Sequence, residues 1–184
     1  DLYNAYHEGC QHFNIFESNR SDVVEAVLSG ANDLGIIVRS NCDTKMFNSR
    51  LMEKNLELHV LDTSGVYVSI GPKSPLYEKE SIAFADLEEQ LNIVLDMENE
   101  VTQHLYLEKP DFHFNMQNII FSNSILTCIK FLMETSAHLY TPKWVLRFFQ
   151  DLPIRSVEII TKEYEKIPIN ELVFLKRKNE PLNG

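Results

Sequence analysis

The sequence predicts an α/β fold arranged as two lobes. Apolar runs typical of strands alternate with segments of helical spacing, and the alternation resumes with different content near residue 64. A chain that leaves the first lobe near residue 64 and returns near residue 163 makes two crossover connections. At this length, about 70% of the surface of the unfolded chain can be buried, so a substantial core is available.

The first lobe begins with a predicted strand–helix–strand unit. Residues 2–11 are compatible with a short helix, and residues 12–17 alternate polar and apolar side chains as a strand does. Apolar residues follow helical spacing over 23–28, and Gly30 stands where a C-terminal cap belongs. The apolar run 34–38 predicts a buried, parallel strand, which completes a right-handed βαβ unit.

The later elements continue the alternation. A helix with one apolar face is predicted after Ser124, and another opens at Thr141, with Pro142 tolerated in its first turn. A shorter helix is predicted over 84–91. The tail 176–182 is polar, and its basic run 176–178 is predicted to be a solvated terminus. Further strands are predicted over 56–61, 66–70, 91–95, 119–121, 157–161 and 172–175, whereas 96–118 is ambiguous.

The charge balance argues against two classes of protein. The chain has 184 residues, with 17 Lys and Arg against 27 Asp and Glu and therefore a net charge of −10. Such a chain repels nucleic acid unless a basic face is segregated. No apolar run approaches the ~20 residues that a membrane-spanning helix needs. We therefore expect neither nucleic-acid binding by these residues nor a membrane-embedded protein.

The three cysteines indicate a reducing compartment. Cys10, Cys42 and Cys128 are odd in number and widely spaced, which is typical of reduced thiols rather than of a disulfide framework. The first residues also lack the basic start and the cleavage site of a secretion signal. The sequence therefore predicts a cytoplasmic protein.

Common catalytic motifs are absent from the sequence. It contains no G-x-S-x-G, G-x-G-x-x-G or G-x-x-x-x-G-K-[ST] pattern. His7 and His12 approach a zinc-binding motif, but a separation of five residues places their imidazoles about 140° apart on a helix. The other histidines have no orienting partner visible in the sequence: His59, His104, His113 and His138. We expect no catalysis, no metal and no cofactor.

Two clusters of small polar residues are candidate binding elements, and each follows a predicted strand and opens a predicted helix. Helix N-termini attract anions through free N–H groups and a partial positive charge, and the guanidinium of Arg20 fits a carboxylate or phosphate. The alternative is helix capping, which Ser and Asn perform at many helices. The clusters are Ser18, Asn19, Arg20 and Ser21 in the first lobe, and Ser122, Asn123 and Ser124 in the second.

The first of these clusters lies in a segment that resembles the effector-binding domain of LysR-type transcriptional regulators. The shared pattern is a strand ending in Glu17, a helix, Gly30 and then Asp33-Leu34-Gly35-Ile36. Three further matches follow in the family's order and extend the resemblance over essentially the whole chain: Ser74-Pro75-Leu76 ahead of Asp86-Leu87, Ser122-Asn123 ahead of Thr141-Pro142, and the last strand, 171–177, which ends near Pro181-Leu182.

The resemblance implies two Rossmann-like lobes joined by two crossover strands, as in type 2 periplasmic binding proteins. Lobe I would comprise residues 1–63 and 164–184, and lobe II residues 64–163. A small-molecule effector would bind between the lobes, at the two polar clusters. Two departures from the family pattern are Arg20, where Ser or Thr is common, and Thr135 and Ala137 in place of two glycines.

The resemblance also implies a homodimer or tetramer and a regulated promoter. The helix over 23–28 predicts a two-fold dimer, because the corresponding element of the family commonly packs against a partner. Promoter DNA would bind only through a winged helix-turn-helix that this chain does not contain. The first strand of lobe I is also expected to precede the residues given.

Two other classes of function stay open at this point. One is a solute-binding protein of the same fold that serves a transporter, and the other is an enzyme on a two-lobed scaffold. Upstream residues would separate a regulator from a solute-binding protein, since the first carries a helix-turn-helix and the second a signal. An enzyme would need a catalytic constellation that the sequence does not show.

Overall fold

The structure is a computed structural model that describes residues 14–40, 55–95, 118–159 and 169–180. These residues form two α-helices, α1 (Arg20–Leu28) and α2 (Ile125–Glu134). They also form eight strands: β1 (Leu34–Ser40), β2 (Leu56–Ser64), β3 (Tyr67–Ile70), β4 (Asn92–Leu95), β5 (Ile119–Ser122), β6 (His138–Thr141), β7 (Arg155–Glu158) and β8 (Asn170–Arg177).

The chain divides into two compact units, each with its own sheet. Unit 1 comprises Asp1–Arg39, Asp43–Asp62 and Glu171–Gly184, and unit 2 comprises Ser40–Cys42 and Thr63–Asn170. The strand order is β1-β8-β2 in the three-stranded sheet and β5-β4-β6-β3-β7 in the five-stranded sheet. Two sheets with helices confirm the predicted α/β class.

In unit 1, the last strand of the chain lies between two strands from its first half. Ion pairs join Arg39 to Glu171 at one end of β8 and Arg177 to Asp33 at the other, so β8 runs antiparallel to β1. Helix α1 covers one face of this sheet through apolar residues that pack on the strands. The resulting core comprises Val23, Val24, Val27, Ile37, Leu56, Val173 and Leu175.

The end of α1 is fixed by a side chain that the sequence places in a solvated tail. Gly30 adopts a φ of +80°, the left-handed conformation expected at a C-terminal cap. The guanidinium of Arg177 donates to the carbonyl oxygens of Val27 (2.5 Å) and Asn32 (2.8 Å). Because Lys176 and Arg177 are the last residues of β8, the prediction that 176–178 is a solvated terminus is wrong for these two residues.

In unit 2, three strands are parallel to one another, and a fourth, β3, runs antiparallel to both of its neighbours. β4 pairs in parallel with β5 and β6, whereas β3 is antiparallel to both β6 and β7. On one face, α2 buries Cys128 and Leu132 against Ile93, Leu139 and Phe149. On the other face, the segment between β3 and β4 supplies the apolar cover, with Leu76, Ile82 and Leu87 packed on Val68 and Ile70.

Side-chain hydrogen bonds end α2 where the resembling family carries glycines. The Thr135 hydroxyl donates to the carbonyl oxygen of Phe131 (2.7 Å) and accepts from the amide of Ala137 (3.1 Å). Thr135 itself is extended, with φ −132° and ψ 179°, so this turn does not need a glycine conformation.

Several predicted elements differ from those observed. Residues 14–17 form no strand, and the rest of the predicted strand over 12–17 lies outside the described residues, as does the helix over 2–11. The helix over 84–91 is only a 3-10 turn, Phe84–Asp86, in which the Asp86 carboxylate accepts from the amide of Ala83 (3.0 Å) and from Lys79 (2.6 Å). The helix after Pro142 is a 3-10 helix, Lys143–Phe148, preceded by the unpredicted strand β6.

The expectation that β1 is buried on both faces is wrong, because the core of unit 1 lies on a single face of the described sheet. β1 is not buried on both faces, because Leu34, Ile36 and Val38 are exposed. The apolar residues of α1, in turn, are used in the core of unit 1. The two-fold dimer expected through this helix stays a prediction.

We predict that Gly71→Ala destabilises unit 2 strongly, because a Cβ at Gly71 would lie 1.6 Å from the carbonyl oxygen of Leu132. Since that oxygen belongs to the backbone of α2, the helix has to move, and the free energy of unfolding should fall by about 3 kcal/mol or more. Urea unfolding would measure the change.

The matched control is Gly65→Ala, whose Cβ would meet only the exposed carboxylate of Glu158 at 2.9 Å. A flexible side chain can move aside, so this variant should lose about 1 kcal/mol or less. Equal losses in the two variants would contradict the steric argument.

Candidate functional site

The first polar cluster forms the start of α1, where it closes on itself. Asn19 is the N-cap, and its Oδ1 accepts from the amide of Asp22 (2.8 Å). The Asp22 carboxylate in turn accepts from the Ser18 hydroxyl (2.6 Å) and from Nδ2 of Asn19 (2.9 Å). The side-chain donors of Ser18 and Asn19 are thus directed at a carboxylate of the protein.

This arrangement supplies α1 with its own anion. A carboxylate in the first turn interacts favourably with the partial positive charge of the helix start, by about 0.3–1 kcal/mol. A ligand anion at this point would compete with Asp22 for the Ser18 and Asn19 donors. The other two members of the cluster follow along the helix, with Arg20 half-buried and Ser21 exposed.

The second cluster forms the start of α2 and contains no such carboxylate. Ser124 is the N-cap, and its hydroxyl accepts from the amide of Thr127 (3.4 Å). Ser122, the last residue of β5, accepts from the amide of Ser124 (3.2 Å), while Asn123 is exposed. No acidic residue lies in the first turn of α2. The positive end of this helix is therefore not neutralised by a carboxylate of its own first turn.

Each cluster is brought together by its own helix, one in unit 1 and one in unit 2. The capping interpretation therefore holds locally for both, through Asn19 in α1 and Ser124 in α2. Capping and ligand binding use different donors at a helix start, because one cap side chain satisfies only one or two of the free amides.

A buried polar pair that sequence reasoning did not single out lies at the amino ends of β4 and β6. Asn92 and His138 are register partners on these parallel strands, and their exposed fractions are 3% and 2%. Neither Oδ1 of Asn92 nor Nδ1 of His138 has a hydrogen-bond partner. Burial lowers the pKa of His138 to about 4, so its imidazole is neutral at physiological pH. Only the register of the two strands reveals this pair.

The other titratable candidates are structural or peripheral. His59 is exposed, and the centroid of its ring lies 6.0 Å from that of the Phe174 ring. Burial raises the pKa of the Cys128 thiol, which makes this thiol unreactive. Within 14–40, 55–95, 118–159 and 169–180, no group of three or more His, Cys, Asp or Glu side chains is placed to hold a metal ion. His7, His12, His104 and His113 lie outside these ranges.

None of the helices in the described ranges combines the length and the apolar character needed to cross a bilayer.

Solved structures of regulator domains share this fold. The effector-binding domain of a BenM variant matches with a TM-score of 0.70 and 14% identity, over 98% of this chain and 78% of that chain. HinK, a LysR family transcriptional regulator from Pseudomonas aeruginosa, matches with a TM-score of 0.67 and 15% identity, over 99% of this chain and 58% of the HinK chain. Full-length CbnR in complex with its target DNA matches with a TM-score of 0.62 and 12% identity, over 90% of this chain and 53% of the CbnR chain.

At these identities the likeness shows the fold, and it confirms the two-lobed, type 2 periplasmic-binding-protein-like class. Neither a family model nor a curated protein matches the sequence. The chain spans little more than half the length of HinK and CbnR, at 58% and 53%.

We predict that the buried imidazole makes the protein sensitive to acid. The pKa of His138 is about 4 in the folded protein and 6.5 when unperturbed, so between these values only the unfolded chain binds the proton. The contribution of the neutral His138 imidazole to the free energy of unfolding is complete above pH 6.5 and is lost as the pH falls toward 4. At one pKa unit per 1.36 kcal/mol, the loss in unfolding free energy approaches about 3 kcal/mol.

Urea unfolding at pH 7 and pH 4.5 would measure this loss in the parent protein and in His138→Gln, which should lack most of it. The surface variant His59→Gln serves as the matched control and should keep the parent pH dependence. If His138→Gln also keeps it, the buried imidazole is not its source.

Proposed function

We propose that this chain, which has the fold of the effector-binding domains of LysR-type regulators, is a ligand-sensing regulatory domain of a bacterial transcription factor. The observation that carries the proposal is the likeness of the chain to such a domain, over 98% of its length. A solute-binding protein of the same fold is not favoured, because the three structures compared above are a regulator's effector-binding domain and two transcriptional regulators.

In this proposal, lobe I comprises residues 1–63 and 164–184, lobe II comprises residues 64–163, and the effector binds between them. Ligands of open α/β sheets bind beyond the carboxyl ends of parallel strands. Ser122 ends β5, which is parallel to β4, and Ser122–Ser124 lead directly into α2. The second polar cluster therefore has the position that this rule requires within its own sheet.

The effector is a small organic anion in this proposal. The α2 start offers backbone donors and a helix dipole without an acidic residue in its first turn. Arg20 adds a fixed fork of donors that suits a carboxylate or a phosphate. Ser18 and Asn19 contribute less than the sequence predicts, because they already donate to Asp22. We assign the main contacts to Arg20, Ser21 and Ser122–Ser124.

The remaining properties of the proposed regulator follow from its class. The domain is non-catalytic and cytoplasmic, assembles as a homodimer or tetramer, and requires no cofactor. Promoter DNA is contacted through a domain outside this chain; the CbnR structure it resembles is a full-length protein on its target DNA. The effector alters DNA binding only by as much as its affinity differs between two states of the regulator.

A thermal-shift screen of small mono- and dicarboxylates and phosphate esters tests this proposal. A specific effector at 100 times its Kd should stabilise the domain by about 2.7 kcal/mol. Calorimetry should then show that Arg20→Ala weakens binding by about tenfold or more, since hydrogen bonds to charged groups contribute about 1.5–3 kcal/mol. Asn123→Ala should weaken binding to a smaller degree.

The matched control is Lys73→Ala, which removes an exposed cation outside both clusters and should leave the affinity unchanged. Stabilisation by cations instead of anions would contradict the proposed charge of the effector. Unchanged affinity in Arg20→Ala would contradict its role.

A further inference from the structure

The segment between β3 and β4, residues 71–91, begins and ends beside one residue of β6. β3 ends at Ile70 and β4 begins at Asn92, and both are register partners of His138. The His138 amide also donates to the carbonyl oxygen of Leu91 (2.9 Å), the last residue of the segment. His138 therefore lies at the base of this covering segment, between its two ends.

The covering segment depends on contacts with the sheet rather than on its own structure. Its backbone forms one 3-10 turn and otherwise hydrogen bonds between residues three positions apart. Arg155 of β7 holds it by donating to the carbonyl oxygen of Tyr77 (2.7 Å). Three apolar side chains bury it on the sheet: Leu76, Ile82 and Leu87. A segment without ladder hydrogen bonds opens at a lower free energy than the strands beneath it.

The surroundings of His138 suit a neutral imidazole only. Among the described residues, neither its Nδ1 nor Oδ1 of Asn92 has a hydrogen-bond partner. Arg155, the register partner of Ile70, is the charged residue of this row of side chains, so a proton on His138 would add a second positive charge. Burial, without any contribution from a neighbouring charge, lowers the pKa of His138 to about 4.

The titratable groups of the neighbouring strands supply no compensating negative charge. Tyr140 of β6 meets the imidazole of His138 edge-on, with the ring centroids 5.1 Å apart. Tyr67 of β3 and Glu158 of β7 are register partners at the opposite ends of those strands. β4 and β5 contain no titratable residue.

The covering segment supplies no negative charge to this site either. Tyr77 packs on the same face of the sheet, and the Asp86 carboxylate accepts from Lys79 (2.6 Å). The other charged residues of the segment are exposed: Lys73, Glu78, Glu80, Glu88 and Glu89. A protonated His138 is therefore left without compensation unless the segment opens and water reaches the imidazole.

We propose that the covering segment is an acid-sensitive strap, which protonation of His138 releases from the sheet while the strands of unit 2 stay paired. The free energy of opening falls with pH because the open form takes up a proton that the closed form excludes. Opening uncovers the apolar side chains of Val68 and Ile70. No effector takes part in this step, which gives unit 2 a response to pH in addition to the proposed ligand sensing.

Hydrogen exchange of single amides, followed by nuclear magnetic resonance at pH 7 and pH 5 without effector, tests the strap. Protection factors are compared, since they divide out the direct effect of pH on exchange. The reporters are the amides of Tyr77 and Lys79, which donate to carbonyl oxygens inside the segment. Their protection should be lower than that of the β3 and β6 amides at both pH values. It should fall about 20-fold from pH 7 to pH 5, given His138 pKa values of about 4 when closed and 6.5 when open.

Three variants separate the proton acceptor from the anchoring contacts. His138→Gln should remove most of the pH dependence of reporter protection, whereas the surface variant His59→Gln should keep it. Arg155→Met loses the bond to the Tyr77 carbonyl oxygen, so it should lower reporter protection at both pH values and keep the pH dependence. Should His138→Gln fail to fold, the protection factors of the parent protein decide alone.

Reporter protection equal to that of the strands would mean that the segment opens only when unit 2 unfolds. Reporter protection that does not change with pH would mean that opening leaves the imidazole buried. Either result overturns the proposal. Because the measurement uses no effector, a failed ligand screen and a failed strap are distinguishable outcomes.

Discussion

Unit 1 depends on the insertion of the chain's last strand between two strands from its first half. β8 supplies Val173 and Leu175, both fully buried, to the face that α1 covers, and it separates β1 from β2 in the sheet. Burying each such side chain contributes about 1.5–3 kcal/mol. Arg177 then closes the end of α1 through the carbonyl oxygens of Val27 and Asn32. The unit is therefore incomplete until the chain has passed through unit 2 and returned.

The starts of α1 and α2 are both built from small polar residues, but only the start of α1 includes a carboxylate. Ser, Asn and Asp at the start of α1 satisfy one another around the Asp22 carboxylate, and this helix needs no external anion. Ser122–Ser124 satisfy part of the α2 start but bring no negative charge to it. The difference lies in one acidic side chain. Under the proposed function, the effector therefore contacts Ser122–Ser124 and Arg20 more than Ser18 and Asn19.

Unit 2 also buries polar groups in an otherwise apolar layer. The Asn92 and His138 atoms without partners lie on the same face as Ile70, beneath the segment that contributes Leu76, Ile82 and Leu87. A polar group buried without a hydrogen bond costs about 1–3 kcal/mol. The sheet tolerates this because the strands that carry both residues are fixed by pairing on either side and by α2 on the opposite face.

The sequence by itself determined the α/β class, α1 and α2, and most strands, because these depend on periodicity and capping residues within a few positions of one another. It also placed the polar clusters at helix starts, since Asn19 and Ser124 cap through neighbours three residues away. In place of the helix predicted over 84–91, the structure has a single 3-10 turn, followed by the buried Leu87 and by β4 from Asn92. Only the tertiary structure decided that Arg177 closes a helix 150 residues earlier in the chain, that Arg39 meets Glu171 across 132 residues, and that His138 lies beside Asn92. Such pairings follow from strand order and register, which arise when distant segments bury apolar surface together and which no local pattern encodes.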